Sequence, residues 1–269
     1  MLATPADNPY QEPRSGRLTA WGNALLAGAV PPDDAATAVL GGDESHRVTG
    51  LPGDSEGELH GLTWALGRLR VLGVRGLRLA LPSAGHPLGL TGPAPFNTEA
   101  MAAGEAVLAV GVPIGLVPEV NVFGPEGDRS ATVLWRCSEV NDTPPADVPS
   151  LHEAEFELAD GLRQATVLLT RLDVAGAGPE ALQALDAYRR RGHAELLAPG
   201  YPARAVRVLE SARQVSALLS IAAGGHGAAV SASEMAARRE VLAPLERTAR
   251  RAQVAAYNAL VDEPPQGNP

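Results

Sequence analysis

The feature that most limits this fold is a change of texture at Pro149. Glycine and proline supply 36 of the first 149 residues but only 16 of the last 120. Glycine loosens the backbone, proline locks it, and both interrupt regular structure. A chain broken so often can build only short elements joined by turns. The second part, with few breaks, can carry long helices. The stretch 141–149 holds three prolines and two aspartates, which suits a connection between the two.

In the first part, Leu18, Trp21, Leu25 and Leu26 recur at helical spacing and predict a helix over 17–29. Pro31 and Pro32, followed by Asp33 and Asp34, open a second helix that Gly41 and Gly42 stop. A strand is expected over 46–51. A helix follows over 55–72 with Leu59, Leu62, Leu66 and Leu69 inward, Asp54-Ser55-Glu56 capping its start and Gly73 its end. Residues 77–81 read as a strand, and Asn97 as the cap of a helix reaching Val110. Residues 114–122 and 131–140 read as a hairpin around the turn 124–128, with Pro118 demoting the first strand to an edge or a bulge.

In the second part, Ser150 and Glu153 form a capping box. The helix after it places Leu151, Ala154, Leu158, Leu162, Ala165, Leu169 and Leu172 on one stripe. A shorter helix spans 179–191. Another runs over 202–222 with Ala205, Val208, Ala212, Val215, Leu219 and Ala222 inward. Gly224-Gly225-His226-Gly227 is a turn, and Ser231 with Glu234 is a second capping box. The last helix carries Leu242, Leu245, Ala249, Ala252, Ala256 and Ala259 at steps of three and four, the spacing of bundle packing. Pro244 is expected to kink it near Glu240.

The fold class is α+β (or α/β): a small three- to four-stranded sheet with flanking helices, followed by an antiparallel helical bundle. The expected organisation is a disordered arm over 1–16, an α/β domain over 17–145, a bundle over 150–262 and a disordered tail over 263–269. The bundle stands alone or packs as one unit with the α/β part. Aromatic residues are only 4% of the chain, so Leu, Val and Ala must build the core.

All 22 basic residues are arginine; there is no lysine. A Schiff base, pyridoxal phosphate chemistry, a P-loop nucleotide triphosphatase and a protein kinase each need a lysine amine, so all four are excluded. Arginine in place of lysine, with abundant Ala, Gly and Pro, is also what a GC-rich bacterial coding sequence produces. Residues 1–149 carry a net charge of −8 and the remainder −1, so neither part offers the basic surface that nucleic acid requires. Arg189, Arg190 and Arg191 suit the negative end of a helix dipole. Cys137 is the single cysteine, which rules out an internal disulfide and any multi-cysteine metal site. It reads as a small buried hydrophobe in a strand. No secretory leader or membrane span is apparent, and a cytoplasmic location is expected.

The one unusual stretch is 82–97, Pro-Ser-Ala-Gly-His-Pro-Leu-Gly-Leu-Thr-Gly-Pro-Ala-Pro-Phe-Asn. It joins a strand to a helix, the place where α/β proteins bind ligands. There His86 could act as acid or base, and Gly89 and Gly92 would let a ligand approach the backbone. Asn97 and backbone N–H groups could hold an anion, with Glu99 as a partner. The competing reading is a proline-stiffened surface loop. Its glycine spacing is not the dinucleotide fingerprint. His46, His60, His152, His193 and His226 lack metal-ligand spacing, and Gly-x-Ser-x-Gly is absent, so neither a metal nor a cofactor is expected. Two functions remain. The first is a non-catalytic assembly or regulatory protein that forms a dimer through its Ala/Leu helical seams. The alternative is a small-ligand binder or enzyme centred on loop 83–97.

Overall fold

Among the described residues, six strands rather than three or four make one sheet. The computed structural model describes residues 12–125, 128–171, 197–224 and 232–262. Its elements run α1 (Arg14–Leu26), α2 (Pro32–Leu40), β1 (Ser45–Thr49), β2 (His60–Gly61), α3 (Leu62–Val71), β3 (Gly76–Ala80), α4 (Ala94–Ala103), β4 (Ala106–Val110), β5 (Ile114–Phe123) and β6 (Ser130–Glu139). Three longer helices follow: α5 (Leu151–Arg171), α6 (Ala203–Gly224) and α7 (Ala232–Asp262). The shorter helix expected over 179–191, the Arg189–Arg191 run, the turn at 225–227 and the second capping box lie outside the described residues. So do residues 1–11 of the expected arm, and the tail; the rest of that arm is ordered, since α1 begins at Arg14 and Glu12 accepts bonds from Arg213 and Tyr257.

The strand order is β2-β1-β6-β5-β4-β3. Only β1 and β6 pair in parallel; the other neighbours are antiparallel. Two of the six strands correct the sequence reading. Residues 106–110 are β4, not the end of a helix. Gly104 adopts φ 75°, its N–H closes on the Ala100 carbonyl, and the apolar run after it pairs with β3. A five-residue apolar run fits helix and strand equally well. The other strand is β2, which lies where a helix was expected from residue 55. Gly57 turns the chain at φ 77°, and α3 starts only at Leu62. Leu62, Leu66 and Leu69 are buried as expected, whereas Leu59 lies outside the helix and is exposed.

Alternation assigns the faces. Val48, Leu77, Val107, Leu116, Val133 and Trp135 share one core with Leu18, Leu25, Val39, Leu66 and Leu69 from α1, α2 and α3. On the other face, α4 lays Phe96 and Ala100 over Ala80, Ala106, Leu108 and Val117. Each large side chain so buried contributes roughly 1.5–3 kcal/mol. The rest of that second face turns to solvent, where Arg136 pairs with Glu119 at 2.6 Å.

The carboxy-terminal helices share a core with the sheet. Leu151, Ala154 and Leu158 of α5, Ala205, Val208, Ala212, Val215 and Leu219 of α6, and Leu242, Leu245, Ala249, Ala252, Ala256 and Ala259 of α7 are buried together with Ala20, Ala24 and Leu79. Small residues along α7 let its backbone come close to its neighbours. Glu153 and Ser150 form the expected capping box: the Glu153 N–H donates to Ser150 Oγ at 3.2 Å, and the Ser150 N–H to Glu153 Oε2 at 2.9 Å. Arg251 of α7 bonds Glu157 of α5 at 3.1 Å and also reaches Asp147 in the connecting stretch.

Strand β3 is an edge, and two asparagines close it. The Leu77 N–H donates to Asn23 Oδ1 at 2.6 Å, and Asn23 Nδ2 returns a bond to the Leu77 carbonyl at 2.9 Å. Asn258 does the same for Leu79, at 2.7 and 3.2 Å. Each side-chain amide stands in for one residue of a missing strand. The backbone groups that would otherwise be open to a second sheet are satisfied inside the molecule.

Candidate functional site

Loop 83–97 spends most of its polar groups on its own conformation, with Thr91 Oγ1 buried and unbonded among the described residues. Ser83 and His86 exchange backbone bonds of 2.9 and 2.8 Å around Gly85, which has φ 78°. The half-buried His86 ring sits at this turn. Gly89 is at φ 101°, where a Cβ would come 2.9 Å from Ala80 Cβ, and its N–H donates to the Ala146 carbonyl at 2.7 Å. Gly92, at φ 89°, donates its N–H to Asn97 Oδ1 at 3.0 Å. Asn141 seals the other side by donating to the Thr91 carbonyl at 2.9 Å. Asn97 lies inside the first turn of α4, which begins at Ala94, so it closes the loop rather than preceding the helix. Glu99 is exposed one residue further than Thr98 along that helix. Of the five residues singled out, the structure joins Gly92 to Asn97. His86, Gly89 and Glu99 do not meet them through any hydrogen bond described.

A second polar centre, buried beside the start of α1, was not legible in the sequence. Asp43 receives Arg14 at 2.6 Å and Arg17 at 2.8 Å. His46 Nε2 lies 3.0 Å from the same carboxylate, and the Trp135 indole N–H donates to His46 Nδ1 at 3.2 Å. Indole can only donate, so Nδ1 accepts and Nε2 carries the proton toward Asp43. Burial pushes the Asp43 carboxyl up. The bonds from His46 and Arg14 and the charges of Arg14 and Arg17 outweigh it and hold the group well below the ordinary carboxylate range. Glu105, also buried, accepts the Ser15 N–H at 2.7 Å and so caps α1 from another element. Burial raises its pKa against that bond and the nearby arginines. The Asp43 carboxylate is met by two guanidinium groups and an imidazole N–H, so its own charge is fully answered inside the fold, as in a structural network.

A third centre lies in the segment between β1 and α3. Asp54, Glu58 and His60 bring one donor atom each within 4.8 Å of one another. His60 Nε2 is 3.3 Å from Asp54 Oδ1 and 3.7 Å from Glu58 Oε1. The His60 ring stacks on Trp64, with centroids 3.5 Å apart and planes 14° apart. Burial, with the Asp54 charge second, pushes the Cys137 thiol up to about 12, away from the range of reactive thiolates. Tyr201 and Tyr257 are likewise raised by burial. Tyr201 serves to donate to the Tyr257 carbonyl at 2.7 Å.

A groove of about 330 Å³ lies at the β3 edge between Asn23, Leu26, Arg75, Arg78, Val110 and Val261. Arg78 is paired with Asp262 at 2.7 Å. Asn23 is engaged with β3 as described. Among the described residues no helix is long and apolar enough to cross a membrane.

Comparison with known proteins gives a family but no chemistry. The chain is 29% identical to the uncharacterized protein Rv1486c of Mycobacterium tuberculosis over 285 residues, covering 91% of this chain and 96% of the relative. It is 28% identical to the uncharacterized protein ML1804 of Mycobacterium leprae, with the same coverage of each. No solved structure matches it. The family description "Rv1486c-like protein, N-terminal domain" matches residues 15–148, and "Rv1486c-like protein, C-terminal domain" matches residues 152–254. With both domains present in order, the chain belongs to the Rv1486c-like family.

Proposed function

We propose that this chain is a non-catalytic assembly or regulatory protein that works as a dimer in the cytoplasm. The proposal keeps the three long helices as an antiparallel bundle but moves the interface away from them. Where their Ala/Leu seams are described, from Leu151 to Leu158, Ala205 to Leu219 and Leu242 to Ala259, they are buried within one chain and face no second copy. One observation carries the reading. Leu59, Trp64 and Val71 are 56%, 47% and 77% exposed on the outer side of α3 and the turn before it. Trp64 and Val71 are seven residues apart, two helical turns, and so lie on one side of the helix. Large apolar side chains exposed along one side of a helix suit an interaction surface, and tryptophan is enriched at the energetic centres of such surfaces. Loop 83–97, whose glycines and asparagine serve its own folding, gives the ligand-binding alternative no comparable support.

Light scattering coupled to size exclusion tests this. The native chain is expected to run as a dimer, and Trp64→Glu as a monomer with unchanged circular dichroism. A native chain that is monomeric at every accessible concentration overturns the proposal.

A further inference from the structure

We propose that Asp54, Glu58 and His60 form a binding site for a divalent transition-metal ion. The site shares Trp64 with the surface of the assembly reading above, but its three donor atoms do not rest on that reading. The argument begins with how each side chain is held. Asp54 uses Oδ2 to accept the Leu51 N–H at 3.0 Å, and Glu58 uses Oε2 to accept the Ser55 N–H at 3.0 Å. Each carboxylate is thus oriented by the backbone of its own turn through one oxygen. The other oxygens, Oδ1 and Oε1, are the ones that face His60 Nε2. His60 is fixed from two sides, by its backbone pairing with Val48 in β1 and by the stack on Trp64.

The second observation is the imidazole itself. His60 Nε2 is buried and makes no hydrogen bond with any described residue. The side chains of His60 and Asp54 are 11% and 5% exposed, whereas that of Glu58 is 47% exposed. A buried ring nitrogen left unsatisfied between two carboxylate oxygens is costly. A cation placed between the three atoms would satisfy all of them, and Glu58 gives it a route from solvent.

The donor set selects the ion. One imidazole nitrogen and two carboxylate oxygens suit Zn²⁺, Mn²⁺, Fe²⁺ or Co²⁺. Ca²⁺ calls for six to eight oxygen ligands, and Cu(I) for thiolate or thioether. Ligands about 2.0–2.2 Å from a tetrahedral ion stand roughly 3.4 Å apart. The separations of 3.3 and 3.7 Å from the ring nitrogen already match that spacing. Three protein ligands leave at least one position for water or for a group from elsewhere, which makes this an open rather than a closed site.

The experiment uses the full, tag-free chain, dialysed against chelator and then titrated with Zn²⁺ alone by calorimetry and with Co²⁺ alone by visible absorbance. One equivalent is expected to bind, and Co²⁺ should quench Trp64 fluorescence through the stacked ring. His60→Gln and Asp54→Asn should each weaken binding by at least about 100-fold, more than the 10–100-fold typical of changes outside the ligand shell. Glu58→Gln keeps an oxygen for the Ser55 N–H, so it tests the site even where the other two variants disturb the turn. It too should weaken binding while leaving the circular dichroism spectrum unchanged. Absence of binding at millimolar metal overturns the proposal, and so does binding that survives Glu58→Gln and His60→Gln undiminished.

Discussion

The two margins of the sheet are built from similar material and use it in opposite ways. At the β3 margin, Asn23 and Asn258 bond the exposed backbone of Leu77 and Leu79, and loop 83–97 fastens itself to the stretch at 141–146. Most polar groups described there are consumed by architecture. At the β2 margin the strand is only two residues long. The turn before it holds two carboxylates by one oxygen each and aims the other oxygens at an imidazole. The two loops are both rich in glycine and proline. The difference lies in whether another backbone comes near enough to take up the side chains. Helices α1 and α7 approach the first margin, whereas α3 leaves the second open on its outer side.

The largest effect is expected from breaking the closed margin. Asn258→Ala strands the buried N–H and C=O of Leu79. Each unsatisfied buried group costs about 1–3 kcal/mol, so the loss is on the order of 3 kcal/mol. At 2–4 °C per kcal/mol for a chain of this size, the melting temperature should fall by roughly 10 °C. Asn23→Ala should cost less, because Asn23 lines a groove and water can take the place of the lost amide. Thermal melts followed by circular dichroism check both. If Asn258→Ala melts with the native chain, the amide is not what holds α7 to the sheet.

The second effect concerns the Asp43 centre, where charges are paired instead of left facing one another. Asp43→Asn removes the counter-charge of Arg14 and Arg17 and should cost about 2 kcal/mol at neutral pH, below the 3–5 of a fully buried pair because an oxygen acceptor remains. The pH dependence fixes the sign. The Asp43 pKa is lower in the folded chain than the ordinary value near 3.9, so its stabilisation is fully present above about pH 4. It is lost as pH falls from there toward the folded value. Glu105 has the opposite slope, since its raised pKa makes its contribution complete below about pH 4 and smaller as pH rises. Urea unfolding across pH 3–8 should therefore show the gap between native and Asp43→Asn closing in acid. Glu105→Gln should gain on the native chain as pH rises. A gap that stays constant through pH 3 contradicts the Asp43 argument.

The parts legible in the sequence are those with local causes. The buried stripes of α6 and α7, the Ser150–Glu153 box and the β5–β6 hairpin all follow from periodicity and capping within a few residues. Strand β4 was hidden because the run from Ala106 to Val110 fits either period, and β2 because two residues carry no period at all. The Asp43 network needed Arg14, Arg17 and Trp135, which only the tertiary fold brings to Asp43 and His46. Asn23 and Asn258 look like ordinary surface residues until an edge strand is placed beside them. Asp54, Glu58 and His60 span only seven residues and were visible as neighbours. Reading 55–72 as one helix made Asp54 a cap and spread the three around a cylinder, and Gly57 was the signal against it.

The smallest effect should come from the loop that looked most chemical. The 83–86 turn is closed by backbone bonds between Ser83 and His86, and neither needs the imidazole. The loop beyond it is held by Gly89, Gly92, Asn97 and Asn141, and Glu99 stands exposed outside that set. His86→Ala and Glu99→Ala should therefore each change stability by less than about 0.5 kcal/mol, the ordinary range for surface positions. A loss above about 1 kcal/mol for His86→Ala in a urea melt would mean that the ring packs the turn. The closed margin would then depend on a side chain as well as on its backbone and its asparagines.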